Sequence, residues 1–306
     1  MTLVQSLLAG SLGQDQLRAL ELAALACGRL GATVESSRNA ASGFLLLRHV
    51  VRVHDGTSDL AVRLLRLGAG GATAGPRAGP FEYGRELTAR HPALADALAE
   101  AGMEALLGES LRATLGEAER ADRRHTSNVL CAAIAAGAIV ADAPASPDAQ
   151  RGAALVGALL LASGGTLDEP WVAPCQLDAA ARSAAVQVDR SGDWSEWIRA
   201  WCSLLAREAT AAERAMRAVE ARLESERQEA RAQVRVGATD DAVLGWLHAH
   251  ATFTIKEASR DLGLTPPTVG TAIERLDAMG FATELTGQRR DRIWVSSALL
   301  DLAGER

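Results

Sequence analysis

The sequence predicts a mostly α-helical protein closed by a small mixed helix-and-strand module, and three observations carry that expectation. Hydrophobic residues make up 48% of 306, while aromatics are only 4%, so Ala and Leu must fill the core. Both are strong helix formers, as are the abundant Arg and Glu. β-branched runs are scarce until the last third, where short strands belong. At this length two domains are a fair expectation.

The N-terminal stretch, 1–120, reads as helical with a flexible interruption. Gln14 to Leu30 has apolar residues at Leu17, Leu20, Leu22, Ala23, Leu25 and Ala26, a stripe expected to stop at Gly31. Phe44 to Val53 is a short apolar helix, with Gly56 as its left-handed cap. Residues 67–80 are rich in Gly, Pro and Ala without periodicity and read as a loop. Residues 92–115 read as one or two helices, and 117–124 as a charged surface segment.

The helical core is expected over 121–216. Two Ala/Leu/Val-rich runs, Ser127–Val140 and Ala153–Gly165, flank a polar hinge, Asp142–Arg151, that contains Pro144 and Pro147. Neither run reaches the ~18 uninterrupted apolar residues of a membrane span. Both are apolar nearly all round, the pattern of central helices in a helical core. A helix through Ala179–Val188 follows, then another that Ser191 or Asp193 can cap. Trp194, Trp197 and Trp201 share a face with Leu204 and Leu205, which marks them as core. Residues 217–239 read as a charge-dense linker helix with a thin seam at Val219 and Leu223.

Residues 240–306 carry the clearest local signals. Ala242–His250 is a helix with Val243, Trp246 and Leu247 inward, and Thr252–Thr254 a short strand. Ile255–Leu262 is a helix stopped by Gly263. Thr265 caps the next one, and Pro266 and Pro267 sit in its first turn, where a missing N–H does no harm. Val269, Ile273, Leu276 and Met279 give its buried stripe, and Gly280 ends it. Phe281–Leu285 and Arg292–Ser296 are strands joined by a polar turn. Helix, helix-turn-helix, two-stranded wing is the order of a winged helix.

Such a module presents the exposed N-terminal residues of its second helix to the major groove. Here these are Thr268, Thr271 and Arg275, following the Thr265 cap, and Arg is the commonest reader of guanine edges. Arg289, Arg290 and Arg292 on the wing suit phosphates. Residues 236–306 nevertheless hold seven Lys/Arg against ten Asp/Glu, a net of −3, so the electrostatic footprint is weak. DNA binding and a structural or dimerising role both stay open.

Composition bounds the rest. A net charge of −6 argues against bulk nucleic-acid coating or a basic membrane surface. The four cysteines, Cys27, Cys131, Cys175 and Cys202, are scattered, with no CxxC and no His at ligand spacing. Reduced buried thiols are expected, without metal or cofactor. The N-terminal residues lack a basic region and a long apolar core, so no signal peptide is read and a cytoplasmic location is expected.

In the order of its elements the chain resembles Fic-family proteins with an N-terminal inhibitory helix and a C-terminal winged helix. The resemblance is carried by Gly192-Asp193-Trp194-x-x-Trp197-Ile198 and by the block from Leu276 to Gly287 and on to Arg292. The resemblance implies an active loop at the central hinge. There the family keeps a His base, an acid that holds Mg²⁺, a Gly-Asn-Gly anion nest and a phosphate Arg. Laid on this chain without gaps, the base position is Asp142, whose ordinary pKa of ~3.9 makes it a poor base at neutral pH. The metal position is Ser146, Pro147, Asp148 and Ala149 occupy the nest region, and the phosphate position is Gln150, with Arg151 one place off register. The inhibitory motif survives only as Asp55-Gly56. Family-type nucleotide transfer would lack base, metal ligand and anion grip together, so the resemblance implies a catalytically silent copy.

Three functional readings follow. In the first, a silent Fic-like domain, as a ligand-binding or dimerisation module, governs a DNA-binding winged helix. In the second, the loop performs a different group transfer or hydrolysis with Asp142, Asp148 and Arg151. In the third, the chain is a protein-interaction scaffold. A homodimer is expected, with DNA, a protein or a small molecule as partner and no membrane.

Overall fold

The computed structural model describes residues 12–36, 43–53, 128–141, 143–163, 172–174, 176–232, 237–287, 289–290 and 292–304. These residues are mostly helical, with one small sheet. The helices are α1 (Gln14–Ser36), α2 (Phe44–Val53), α3 (Asn128–Val140), α4 (Pro147–Ser163), α5 (Ala179–Ser191) and α6 (Ser195–Ala232). Then come α7 (Ala238–Ala249), β1 (Phe253–Thr254), α8 (Ile255–Leu262), α9 (Pro266–Ala278), β2 (Ala282–Glu284), β3 (Ile293–Ser296) and α10 (Ser297–Gly304). The expected segments at 67–80, 92–115 and 117–124 lie outside the described residues.

The chain divides into two compact units. Among the described residues the first comprises 12–32 and 128–212, and the second 33–53 and 213–304.

In the first unit α3 and α4 pack along each other, as two helices apolar on nearly every side must. The hinge between them is shorter than expected. Ser146 accepts a hydrogen bond from Ala149 N at 3.4 Å, and α4 starts at Pro147. Proline is tolerated at the first helical position because its missing N–H would be unpaired there anyway. Gln150 and Arg151 therefore stand on the first and second turns of α4, not in a loop. Trp194, Trp197 and Trp201 are all buried, as the helical stripe predicts. Trp197 donates its Nε1–H to the Ala133 carbonyl at 2.7 Å, which satisfies the one polar atom the indole buries. Gly137 leaves the room that Trp194 and Trp197 fill.

α1 runs through Gly31 to Ser36, where a stop was expected. A lone helical glycine costs only about 1 kcal/mol. Buried Leu30 and Thr33 on either side favour continuing the turn. α5 ends as its sequence suggests, with Gly192 left-handed at φ 66° and bonded back to Val188. Asp178 caps its start, and the Ala181 amide followed by Arg207 holds that carboxyl below its usual range.

The helix expected from 217 forms as the continuation of the one before it. No Gly or Pro interrupts 195–232, so one 38-residue helix, α6, covers the span. Its residues from Glu213 onward belong to the second unit.

The second unit contains α7, α8 and α9 around Val243, Leu247, Phe253, Ala258, Val269, Ile273, Leu276 and Trp294. The sheet order is β1-β3-β2, both pairs antiparallel, with Phe253 opposite Trp294 and Thr283 opposite Val295. Thr254 and Glu257 form a reciprocal capping box on α8, and Gly263 closes it in the left-handed region. α10, which the sequence reading passed over, packs against α2. Its pattern of buried Ala298, Leu299, Leu302 and Ala303 is a helical stripe.

Candidate functional site

The expected groove-reading residues sit on α9. Thr265 accepts from Thr268 N at 3.4 Å, and its hydroxyl lies 2.8 Å from that of Thr268. Thr271 donates its hydroxyl to the Pro267 carbonyl at 3.0 Å. All three threonines are exposed. Arg275 is placed differently from an extended base reader. Its Nε and Nη2 donate to the Asp240 Oδ1 on α7, at 3.1 and 2.5 Å. The same pairing raises the Arg275 pKa. Asp240 is buried, and its second oxygen accepts from Gly237 N at 3.0 Å. A charge-assisted pair of this kind is stronger than a neutral hydrogen bond. Asp240 thus holds Arg275 against the start of α7.

The turn after β2 is built from Glu284. Its carboxylate accepts from Thr286 N at 2.6 Å, from the Thr286 hydroxyl, and from Gly287 N at 2.9 Å. Gly287 sits at φ 60°, a conformation a side chain would strain. Beyond this turn Arg289, Arg290 and Arg292 are exposed. The hairpin therefore carries three cations on a turn whose near side is fixed.

Glu226 of α6 anchors the module from behind, and the sequence reading did not single it out. It is buried, and its Oε2 lies 2.6 Å from His248 Nε2 and accepts from Ser296 Oγ at 2.7 Å. Its other oxygen accepts from Ala298 N at 3.4 Å, in the first turn of α10. A carboxylate there also meets the positive end of the helix dipole. One side chain thereby ties α6, α7, β3 and α10 together. The signal was available in the spacing. Val219, Leu223, Glu226 and Ala230 recur at helical intervals and all are buried.

At the central hinge, Asp142 lies outside the described residues, as does the inhibitory-motif remnant Asp55-Gly56. Asp148 stands on the first turn of α4. Gln150 closes the loop, donating from Nε2 to the Pro144 carbonyl at 2.9 Å and accepting from Leu177 N at 3.2 Å. Ser146 is occupied as the helix cap. Arg151 is half-buried on α4. The structure thus gives Ser146 and Gln150 structural bonds at the positions where the resemblance puts metal and phosphate ligands.

Cys27 and Cys202 are buried free thiols, and burial pushes each up to about 12. Among the described residues no cluster of His, Cys, Asp and Glu suits a metal ion, and no helix is long and apolar enough to cross a membrane. Compared with known proteins, the chain matches no family model and no curated protein sequence.

Proposed function

We propose that the chain is a DNA-binding regulatory protein whose terminal module, α7 to β3, is a winged helix. In this reading the α3–α4 region is a catalytically silent, Fic-like domain. Two features carry the reading: an exposed threonine face at the start of α9 and an exposed three-arginine hairpin in the same unit. Helix, strand, helix, helix and hairpin, with sheet order β1-β3-β2, follow the helix-turn-helix plan with an added wing. The silent-domain part is supported by Gln150 and Ser146, whose polar atoms are spent on closing the loop and capping α4.

The test is a fluorescence anisotropy titration of the full chain on duplex DNA from its own locus at several salt concentrations. Two phosphate contacts, from Arg289 and Arg290, give a slope of log K against log salt of about −1.8. Binding then weakens about tenfold between 50 and 200 mM salt. Changing both arginines to alanine removes most of that slope. Absence of salt-dependent binding at micromolar protein would overturn the proposal. The net charge of −3 over residues 236–306 favours a second reading, a protein-interaction surface, which predicts complex formation without nucleic acid.

A further inference from the structure

We infer that α9 reads the C5-methyl groups of thymines, with the Cγ2 methyls of Thr268 and Thr271 as the specificity-determining contacts. This rests on the DNA-binding reading above and adds what the DNA must present. A threonine can meet a base edge with its hydroxyl or its methyl. Here the Thr271 hydroxyl is turned back to the Pro267 carbonyl, and that of Thr268 lies against Thr265. With its proton donated to Pro267, the Thr271 hydroxyl can only accept from a base edge, and the methyl of each exposed side chain stays available to a groove. The other exposed positions on the first turn are Pro266 and Pro267, which have no hydrogen-bonding side chain.

The residue type that reads guanine bidentately is present as Arg275, but its Nε and Nη2 already serve Asp240. Apolar contact with the thymine methyl is then a base-specific interaction these turns support without breaking those bonds. Pro266 and Pro267 also remove two N–H donors from the start of α9, so this helix end is poorly equipped to hold phosphate. Positioning along the backbone falls to the wing arginines. Exposed Glu274, further along α9, repels phosphate and confines the contact to the first two turns. Thr268 and Thr271 are three residues apart, about 4.5 Å along the axis, against about 3.4 Å between base pairs. Their methyls therefore suit thymines on neighbouring base pairs.

The experiment uses the full chain and a site enriched from a random duplex pool, with each thymine replaced in turn by deoxyuridine, which lacks only the methyl. Uracil at two neighbouring positions is expected to weaken binding about fourfold each, the worth of one buried methyl, with the salt slope unchanged. Thr271→Ser keeps the hydroxyl and drops the methyl, so it should abolish the preference for thymine at one position. Thr271→Val keeps the methyl and should retain that preference. Equal binding of thymine and uracil sites, or a Thr271→Ser variant that still discriminates, would overturn the inference and leave salt-dependent DNA binding standing. Failure to bind any duplex would remove both.

Discussion

Replacing Gly137 with alanine should destabilise the first unit, although the same change usually favours a helix. In a helix interior Gly→Ala gains about 1 kcal/mol. Here a Cβ built on Gly137 falls 2.7 Å from Trp194 Cζ3 and 2.9 Å from Trp197 Cδ1, with Trp197 Nε1 closer still. Both indoles are buried, so neither can swing into solvent. Overpacking of this kind costs about 1–3 kcal/mol. Displacing Trp197 also breaks its bond to the Ala133 carbonyl and strands the buried indole donor, a further cost of about 1–3 kcal/mol. Set against the helix gain, the net loss is about 1–5 kcal/mol. Urea unfolding followed by circular dichroism and tryptophan emission measures it. Two other glycines calibrate the scale. Gly245 has open space around its Cβ position, so Gly245→Ala should stabilise by about 0.5–1 kcal/mol. At Gly157 the Cβ would lie 3.2 Å from Trp201 Cζ2, and the two effects should nearly cancel. Trp197→Phe, which makes room and removes the N–H, should recover part of the Gly137→Ala loss. A Gly137→Ala protein as stable as the parent would refute the packing argument.

Glu226→Ala strands buried His248 and Ser296 and should cost about 2–6 kcal/mol, at about 1–3 for each stranded group, while Glu226→Gln, which keeps an acceptor, should cost less. Urea midpoints of the two variants decide it, and equal losses would show that the hydrogen bonds contribute little. The two raised thiols predict a pH dependence with a definite sign. Cys27 and Cys202 stay protonated in the fold up to about 12, so their stabilisation is complete below the ordinary thiol pKa and lost as pH climbs towards 12. Each should steepen the alkaline decline by about 1.4 kcal/mol per pH unit. A Cys27→Ala/Cys202→Ala variant whose stability falls in parallel with the parent between pH 9 and 11 would contradict this.

What could be read from the sequence was whatever its neighbours determine. The Thr265 cap acts on the next turn, and Gly263 needs only its own positive φ. Helix periods likewise revealed the buried tryptophans and the two central helices. The bonds that neighbouring sequence did not signal run between distant partners. Glu226 meets Ser296 across 70 residues, Asp240 meets Arg275 across 35, and Gln150 meets Leu177 across 27. An acid in a charge-dense helix looks solvated until the fold brings a hydroxyl and an imidazole to it. Arg275 looked like a base reader for the same reason, since nothing nearby in sequence signals that Asp240 engages it. The helix boundaries that shifted, at Gly31 and Pro147, are places where packing or a cap outweighed a local breaker.

The anchoring of Glu226 bears on where this chain could be divided. A piece starting at Gly237 would keep every strand of the sheet yet lose the carboxylate that Ser296, His248 and Ala298 share, and with it Ala230 from the apolar cluster. It would also forfeit the Arg222–Asp301 ion pair and the helix at 44–53 on which α10 rests. The terminal module is therefore not a detachable cassette, and its natural border runs upstream, near Glu213, with a borrowed segment from the first sixth of the chain.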